Sequence, residues 1–442
     1  MDFGVSEVTE TLGGTAIYLI GFGVGALLCS PLSELLGRYP VYLGTLIIFG
    51  IWIMAAALAP NIGAQIVFRF LAGFFGSAPL TVAGGSISDI WTTKEKTWAF
   101  PLFAISGFGG PILGPVMAAY IGVTGVLSWR WAEWIILITD GLVIFLVVAF
   151  KEETLAPRLL KYKAHYFRKL TGDDRFKTAR EAKGESMGEV LKGSFTRPFI
   201  LCIEPIVLSF TLYLTVIYIV LFTFLDGYVT SSSMLGFVPM KRSLTDDRYT
   251  YIFEMVYGIN SGLTYTIFVA LFVGVLLDLV LVPIVYHQTK KQLSRDNDDG
   301  SGKKLDRESR LLFAIYGAPT IPIGLFWMGW TDYSSISIWS PILASTMIGF
   351  GIISIFMSAY MYIIDSYEVY AASALTFVAL VRYLAAGGMT VVGVPMYKNL
   401  GPHYTLTILA CISAAVVPIP YALYKWGTKV RAKSKYAISP GK

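Results

Sequence analysis

The 442 residues predict an all-α polytopic membrane protein built from two helical bundles, and three observations carry that prediction. Hydrophobic residues make up 55% of the chain and charged residues 14%, with a mean hydropathy of +0.63, a balance foreign to soluble domains. Eleven apolar runs are long enough to cross a bilayer core of about 30 Å. One long polar segment, 151–197, divides those runs into five and six.

At about 20 apolar residues per crossing, the first half gives spans at 12–33, 41–59, 64–88, 98–122 and 133–150. The second half gives 199–226, 262–286, 311–330, 338–363, 371–397 and 404–426. The divider holds twelve Lys or Arg against seven acids, a net +5 beside +6 for the whole chain. Its portion from Leu159 to Lys169 is expected to lie as an amphipathic helix on the inner leaflet. The positive-inside rule puts the divider in the cytosol, and with it Arg38, Lys94, Lys96, the loop 287–310 and a tail bearing Lys425, Lys429, Arg431, Lys433 and Lys435. The opposite loops 59–64, 331–337 and 401–404 hold no Lys or Arg. The loop 227–261, with Lys241, Arg242 and Arg248, is the exception.

An odd span count then leaves the acidic amino terminus (Asp2, Glu7, Glu10) outside and the carboxyl terminus in the cytosol. No basic n-region precedes the first run, so it is expected to be a retained span. The expected organisation is a first bundle over 1–150, a basic linker over 151–197, a second bundle over 198–430 and a cytosolic tail over 431–442. The expected location is the plasma membrane, with a vacuolar or vesicular membrane as the alternative.

Other chemistries find no support. His165, His287 and His403 are far apart, and neither a GxxxxGK[ST] loop nor a GxSxG elbow occurs, so no enzyme, cofactor or metal is expected. Cys29, Cys202 and Cys411 occupy separate apolar runs, which points to packing thiols rather than a disulfide. The basic balance comes from loops facing an anionic leaflet, and no nucleic-acid partner is expected.

Several stretches interrupt the apolar pattern. Between the first two runs stands Ser30-Pro31-Leu32-Ser33-Glu34-Leu35-Leu36-Gly37-Arg38-Tyr39-Pro40. Its Glu34 and Arg38 suit a charge lock at a helix end; a plain helix stop with a snorkelling Arg is the alternative. Arg69 begins Arg69-Phe70-Leu71-Ala72-Gly73-Phe74-Phe75-Gly76 inside the third run, where a guanidinium either faces a proton or substrate pathway or snorkels to the outer surface. Asp89 closes that run at its inner edge as an anchor or a gate.

The fourth run holds Gly107-Phe108-Gly109-Gly110-Pro111-Ile112-Leu113-Gly114-Pro115. Its glycines permit close helix approach, and Pro111 and Pro115 bend the helix, as suits a contact between moving halves. Asp140, Glu204 and Asp278 lie in later runs, where an intramembrane acid is a candidate proton carrier. Arg382 is a candidate central-cavity residue. Tyr213, Tyr218, Phe222, Tyr265, Phe268, Phe356 and Tyr360 either line an apolar cavity or pack as core. Two matches suggest an internal repeat offset by one span, pairing 107–115 with 387–395 and 23–28 with 274–277.

Glu34, Gly37 and Arg38 stand where the GxLaDrxGrk signature of the major facilitator superfamily has its acid, Gly and Arg, although Ser30, Leu35 and Tyr39 depart from it. The Arg69 stretch resembles that family's RxxqG pattern, with Ala72 in place of Gln. Gly110-Pro111-Ile112-Leu113-Gly114 looks like the GPxxG signature of its drug:proton antiporter branch. The stretch from Asp365 to Arg382 is similar to fungal multidrug and toxin exporters. The resemblance implies a major facilitator fold of two pseudo-symmetric bundles, normally with twelve helices. It also implies proton-coupled efflux of apolar or amphipathic organic molecules, with the proton gradient as energy source and a monomer in the bilayer. An uptake carrier of the same superfamily and a transport-dead truncated protein are the alternatives.

Two departures from the family qualify the resemblance. Asp2-Phe3-Gly4-Val5 resembles the loop before the family's second helix, so the first helix is expected to be missing. The segment 229–249 has no family counterpart; it is expected to be translated intron, and a genuine long outer loop is the alternative.

Overall fold

In hydrocarbon a backbone must satisfy its own N–H and C=O groups, so apolar runs of this length fold as helices. The computed structural model describes residues 9, 12–92, 95–123, 128–173, 175–178, 195–228, 268–298, 307–331, 333, 335–367 and 370–437. Lys94, the insert 229–249 and Tyr265 lie outside the described residues. Among the described residues there is no strand.

The first half contains α1 (Ile17–Leu36), α2 (Arg38–Ala57), α3 (Ile62–Gly76), α4 (Ala78–Ile90), α5 (Lys96–Val123) and α6 (Arg130–Phe150). The linker begins with α7 (Ala156–Thr171). The second half contains α8 (Pro205–Tyr228), α9 (Phe268–Leu277), α10 (Leu281–Asp298), α11 (Leu312–Gly317), α12 (Thr320–Thr331), α13 (Trp339–Tyr367), α14 (Ala371–Val416) and α15 (Pro418–Lys433).

Among the described residues ten helical segments are long and apolar enough to cross a membrane. The last of them, Ala371–Lys433, has 63 residues; as one rod it would reach about 95 Å, three times the bilayer core. It is broken at Gly401, whose φ of 76° is the left-handed value that glycine tolerates. Divided there it is long enough for two crossings, so that among the described residues each of the eleven runs predicted from hydropathy carries helix.

Several spans are interrupted where the apolar pattern alone predicts continuity. The third divides at Ser77 into α3 and α4 ahead of Pro79, and hydroxyls repair the ladder: Ser77 donates to the Phe74 carbonyl at 2.8 Å and Thr81 to that of Ser77 at 3.0 Å. The seventh passes through a 3₁₀ turn at Asp278–Val280 between α9 and α10. The eighth is split between α11 and α12 near Pro319, where Thr320 donates to the Gly317 carbonyl at 2.8 Å. The sixth proves shorter than expected: its long helix starts at Pro205, so Glu204 sits in the turn before the helix rather than within the span.

Helix α7 covers the region expected to be amphipathic. None of its side chains is buried, and Gly172 ends it in the left-handed conformation. Burial divides the spans: 72% of the most apolar window is inside the molecule for the sixth and ninth, against 11% for the fifth. The sixth and ninth therefore form the centre, and the fifth offers side chains such as Ile138, Phe145 and Phe150 to lipid.

The two halves repeat one close contact. A Cβ added to Gly21 of α1 would lie 2.2 Å from the Phe70 carbonyl of α3, and one on Gly73 would lie 2.1 Å from that of Tyr18. In the second half, a Cβ on Gly274 of α9 would meet the Thr346 carbonyl of α13 at 2.0 Å, and one on Gly349 that of Leu271 at 2.1 Å. Both contacts are reciprocal, with the same spacing of three residues on each strand of the contact. The repeat thus superposes the first span on the seventh, as the sequence suggests, but its register pairs Gly274 with Gly21 rather than with Gly23.

The halves also meet in a crossed pattern. Helix α5 packs on α9, as α14 packs on α1. Gly109 faces Phe272 in the first of these contacts, and Gly387 meets Ala16 and Ile20 in the second.

Candidate functional site

The contact between the halves is aromatic, and one charge lies within it. Arg382 is fully buried. Its guanidinium carbon is 4.5 Å from the ring centre of Tyr218, 4.9 Å from Tyr383, 5.2 Å from Tyr360 and 5.3 Å from Phe356. Such ring faces attract a cation. None of the three guanidinium nitrogens makes a well-formed hydrogen bond, and the Tyr360 hydroxyl is an oxygen that interacts with them.

Rings of the first half complete this wall. Phe22 is 4.5 Å from Tyr383, while Phe108 is 5.0 Å from Phe356 and 6.3 Å from Tyr218. Of the aromatics singled out in sequence, Tyr218, Phe356 and Tyr360 gather here, and Phe222 stacks on Tyr218 at 6.0 Å. Tyr383, Phe108 and Phe22 were not legible, because each reads as an ordinary residue of an apolar run.

Arg69 reaches Glu133, which is buried at the start of α6, and the two form an ion pair. Tyr18 adjoins the same charges and that of Asp140. Asp140 is buried against Gly50, with one carboxylate oxygen unpartnered. Asp278 is buried at the 3₁₀ turn; the Ser354 hydroxyl donates to one of its oxygens, and the other has no partner. No described contact joins Asp140, Asp278 and Glu204, so they do not form one relay here.

The family model of the Major Facilitator Superfamily matches residues 2–390. The chain belongs to the major facilitator superfamily. It is 45% identical over 434 residues to the MFS-type transporter kojT of Aspergillus flavus, covering 98% of this chain and 73% of that protein. It is 33% identical to the transporter paaT of Penicillium rubens, covering 99% and 75%. It is 31% identical to the ascochitine biosynthesis cluster MFS transporter of Didymella fabae, covering 99% and 80%. Among solved structures, the proton:xylose symporter XylE aligns with a TM-score of 0.63 at 15% identity over 96% of this chain and 88% of its own. The human organic anion transporter MFSD10 aligns at 0.57 with 14% identity, covering 93% and 83%. These structural likenesses establish the fold.

The superfamily's loop signature takes a definite form in this chain. Arg38 pairs with Asp89 at 3.2 Å and donates to the Ser33 hydroxyl at 2.6 Å. Asp89, at the end of α4, is thus an ion-pair partner of Arg38. The start of α2 is held by Glu153, which accepts from the backbone N–H of Arg38 at 2.9 Å and of Tyr39 at 3.3 Å. Gly37 is required beside it: its φ is 101°, and a Cβ would fall 2.2 Å from Glu153 Oε2. Lys151 lies on the Tyr42 ring at 3.0 Å. Burial, aided by Arg38 and opposed by Glu153, pushes its ammonium down to about 8. All these groups belong to the first half and its linker, so the cluster ties helices within one bundle.

The contact across the halves at the same face uses other residues. Arg310, fully buried, pairs with Asp365 at 2.8 Å and donates to the Thr97 hydroxyl of α5 at 2.5 Å. Arg431 pairs with Glu308 and donates to the Tyr362 hydroxyl at 3.0 Å. Glu204 accepts from the Ser434 hydroxyl and from the Lys435 N–H at 3.2 Å, which fastens the chain's tail to the start of α8.

The glycine and proline stretch of α5 departs from its expected role. A Cβ added to Gly107 would lie 3.4 Å from Leu80 and one on Gly109 3.6 Å from Phe272, but one on Gly110 or Gly114 would meet nothing within 4 Å. Gly109 thus has room for an ordinary van der Waals contact with Phe272, while Gly110, Pro111 and Gly114 lie on an exposed face. Pro115 lies one turn beyond, half-buried. Cys29, Cys202 and Cys411 are free thiols.

Proposed function

We propose that this chain is a secondary active exporter of apolar or amphipathic small organic molecules, driven by inward movement of protons. The observation that carries the reading is the aromatic wall shared by both halves around Arg382, a combination suited to a substrate with an apolar body and one polar end. The name of the Didymella relative, which belongs to a metabolite biosynthesis cluster, supports outward transport. The GPxxG-like stretch of α5 supports it as well, as does a fold whose halves meet through crossed helix pairs.

The residues fall into three roles. Arg382 and its rings meet the substrate. Asp140 and Asp278, each buried with an unpartnered carboxylate oxygen, are the proton carriers; Arg69 holds Glu133 beside Asp140's helix contact. Glu204, with its oxygens engaged by the tail, acts as a structural latch. The Arg38–Asp89–Glu153 cluster stabilises the cytosolic face, a reading that the basic charge of the linker and tail supports. The protein works as a monomer in the plasma membrane.

The test is transport by the full chain in inside-out vesicles. An acid-inside pH gradient should drive uptake of a fluorescent amphiphile, and a protonophore should abolish it. Uptake of sugar instead would replace this reading with a nutrient carrier, and absence of any flux would mark the chain as transport-dead.

A further inference from the structure

We infer that the Arg382 cluster is an anion subsite, and that the substrates are organic acids whose carboxylate or enolate meets the guanidinium edge while an apolar or aromatic body lies on the rings. This rests on the exporter reading and names its substrate class.

The argument begins with partners. The other buried arginines among the described residues, Arg38, Arg310 and Arg431, each hold an acid: Asp89, Asp365 and Glu308. Arg382 has none among the described residues, and its three nitrogens make no well-formed hydrogen bond, with the uncharged Tyr360 hydroxyl nearby. The surrounding rings compensate part of the charge through their faces. Ring faces do not satisfy the N–H groups, which radiate in the guanidinium plane and require lone pairs; the Tyr360 hydroxyl is a neighbouring oxygen that approaches them, and it is uncharged. A buried donor without a good acceptor is unfavourable, so the guanidinium edge calls for a partner of defined chemistry. A carboxylate fits it with two parallel hydrogen bonds, the geometry in which Arg differs from Lys.

Location supports the same occupant. Arg382 stands eleven residues into α14, about 17 Å along the helix, near the middle of a core of about 30 Å. Transporters of this architecture hold substrate there, between the repeats. The wall belongs to both halves: Phe22 and Phe108 come from the first, and Tyr218, Phe356 and Tyr383 from the second. In this structure the rings close over Arg382. Parting of the halves separates the two sets of rings and uncovers the cation to an arriving anion. A cationic drug would meet repulsion at this position, and a neutral one would offer only the weaker, uncharged acceptors of a carbonyl or hydroxyl.

The purified full chain, in detergent or vesicles, can be tested with three probes that share one ring system: 1-naphthoate, 1-naphthamide and 1-naphthylmethylammonium. Wild type should bind naphthoate at least tenfold more tightly than the amide, and the ammonium more weakly still. Arg382→Gln should abolish the preference for naphthoate while amide binding persists. Arg382→Lys should keep the order of preference with several-fold weaker naphthoate binding. Equal binding of the three probes by wild type overturns the anion subsite whether or not any variant folds, as does unchanged naphthoate binding in a folded Arg382→Gln protein. Transport of the amide but not of naphthoate would overturn the subsite and leave the exporter reading standing. Naphthoate binding that depends on Arg382 in a protein that transports nothing would overturn the exporter reading and leave the subsite.

Discussion

At the scale of single residues, buried charges among the described residues fall into two kinds: those that have found an opposite charge, and those, such as Arg382, Asp140 and Asp278, for which no opposite charge is in contact. Arg69 and Glu133 belong to the first kind, and their pairing makes a quantitative prediction. Removing one member of a buried pair leaves the other uncompensated, at a cost of about 3–5 kcal/mol, whereas removing both is far less disruptive. Arg69→Leu should therefore lower stability to thermal or denaturant unfolding by about 3 kcal/mol, and the double variant Arg69→Leu/Glu133→Leu by clearly less. Additive losses in that cycle would show that the contact contributes nothing.

The same pair shows what a linear reading detects. An Arg inside an apolar run is conspicuous, but Glu133 stands at the edge of its run, where an acid looks like an interface anchor. Arg310 and Arg431 were harder still. Both entered the charge count that oriented the chain as if solvated, yet each is buried in an ion pair. Residue type and position along a run do not reveal what lies across a helix interface.

At the scale of helices, span existence was legible and span interior was not. Apolar length dictates a crossing because hydrocarbon leaves the backbone no other solution, and each of the eleven runs carries helix among the described residues. The breaks at Ser77, Asp278 and Ala318 depend on local prolines and hydroxyls that leave average hydropathy untouched. Close helix pairs are similarly hidden, since a glycine in an apolar run can face a neighbouring backbone, as Gly21 and Gly274 do, or open space, as Gly110 does. Gly21→Ala and Gly274→Ala should each destabilise the fold by about 1–3 kcal/mol, the usual cost of overpacking. Gly110→Ala should be nearly neutral. Thermal unfolding of the three purified variants checks this; a loss at Gly110 equal to that at Gly21 would contradict the assigned contacts.

At the scale of the whole molecule, the two halves are joined at the basic face by the bond from Arg310 to Thr97, with Trp98 against Tyr286 at 6.1 Å beside it. Thr97→Val removes the acceptor and leaves the Arg310–Asp365 pair in place. Spin labels at Lys96→Cys and Lys290→Cys, in a background without the three native cysteines, should then report a broader distribution reaching longer distances than in the parent. An unchanged distribution would show that this contact does not govern closure. The two-bundle plan was legible from the polar divider, because five spans before it and six after leave little other arrangement. The aromatic centre was not, since it assembles rings from five helices far apart in the chain.

The reciprocal glycine contacts also have a mechanical meaning. Where two backbones touch without an intervening side chain, no rotamer is available to flex, and the joined helices transmit force as a single beam. The first span is welded to the third in this way, and the seventh to the ninth. Compliance must then reside elsewhere, in the ring-lined seam between the beams, where aromatic side chains can slide and tilt. The stiffest joints of the molecule thus border its softest surface, and that surface encloses Arg382.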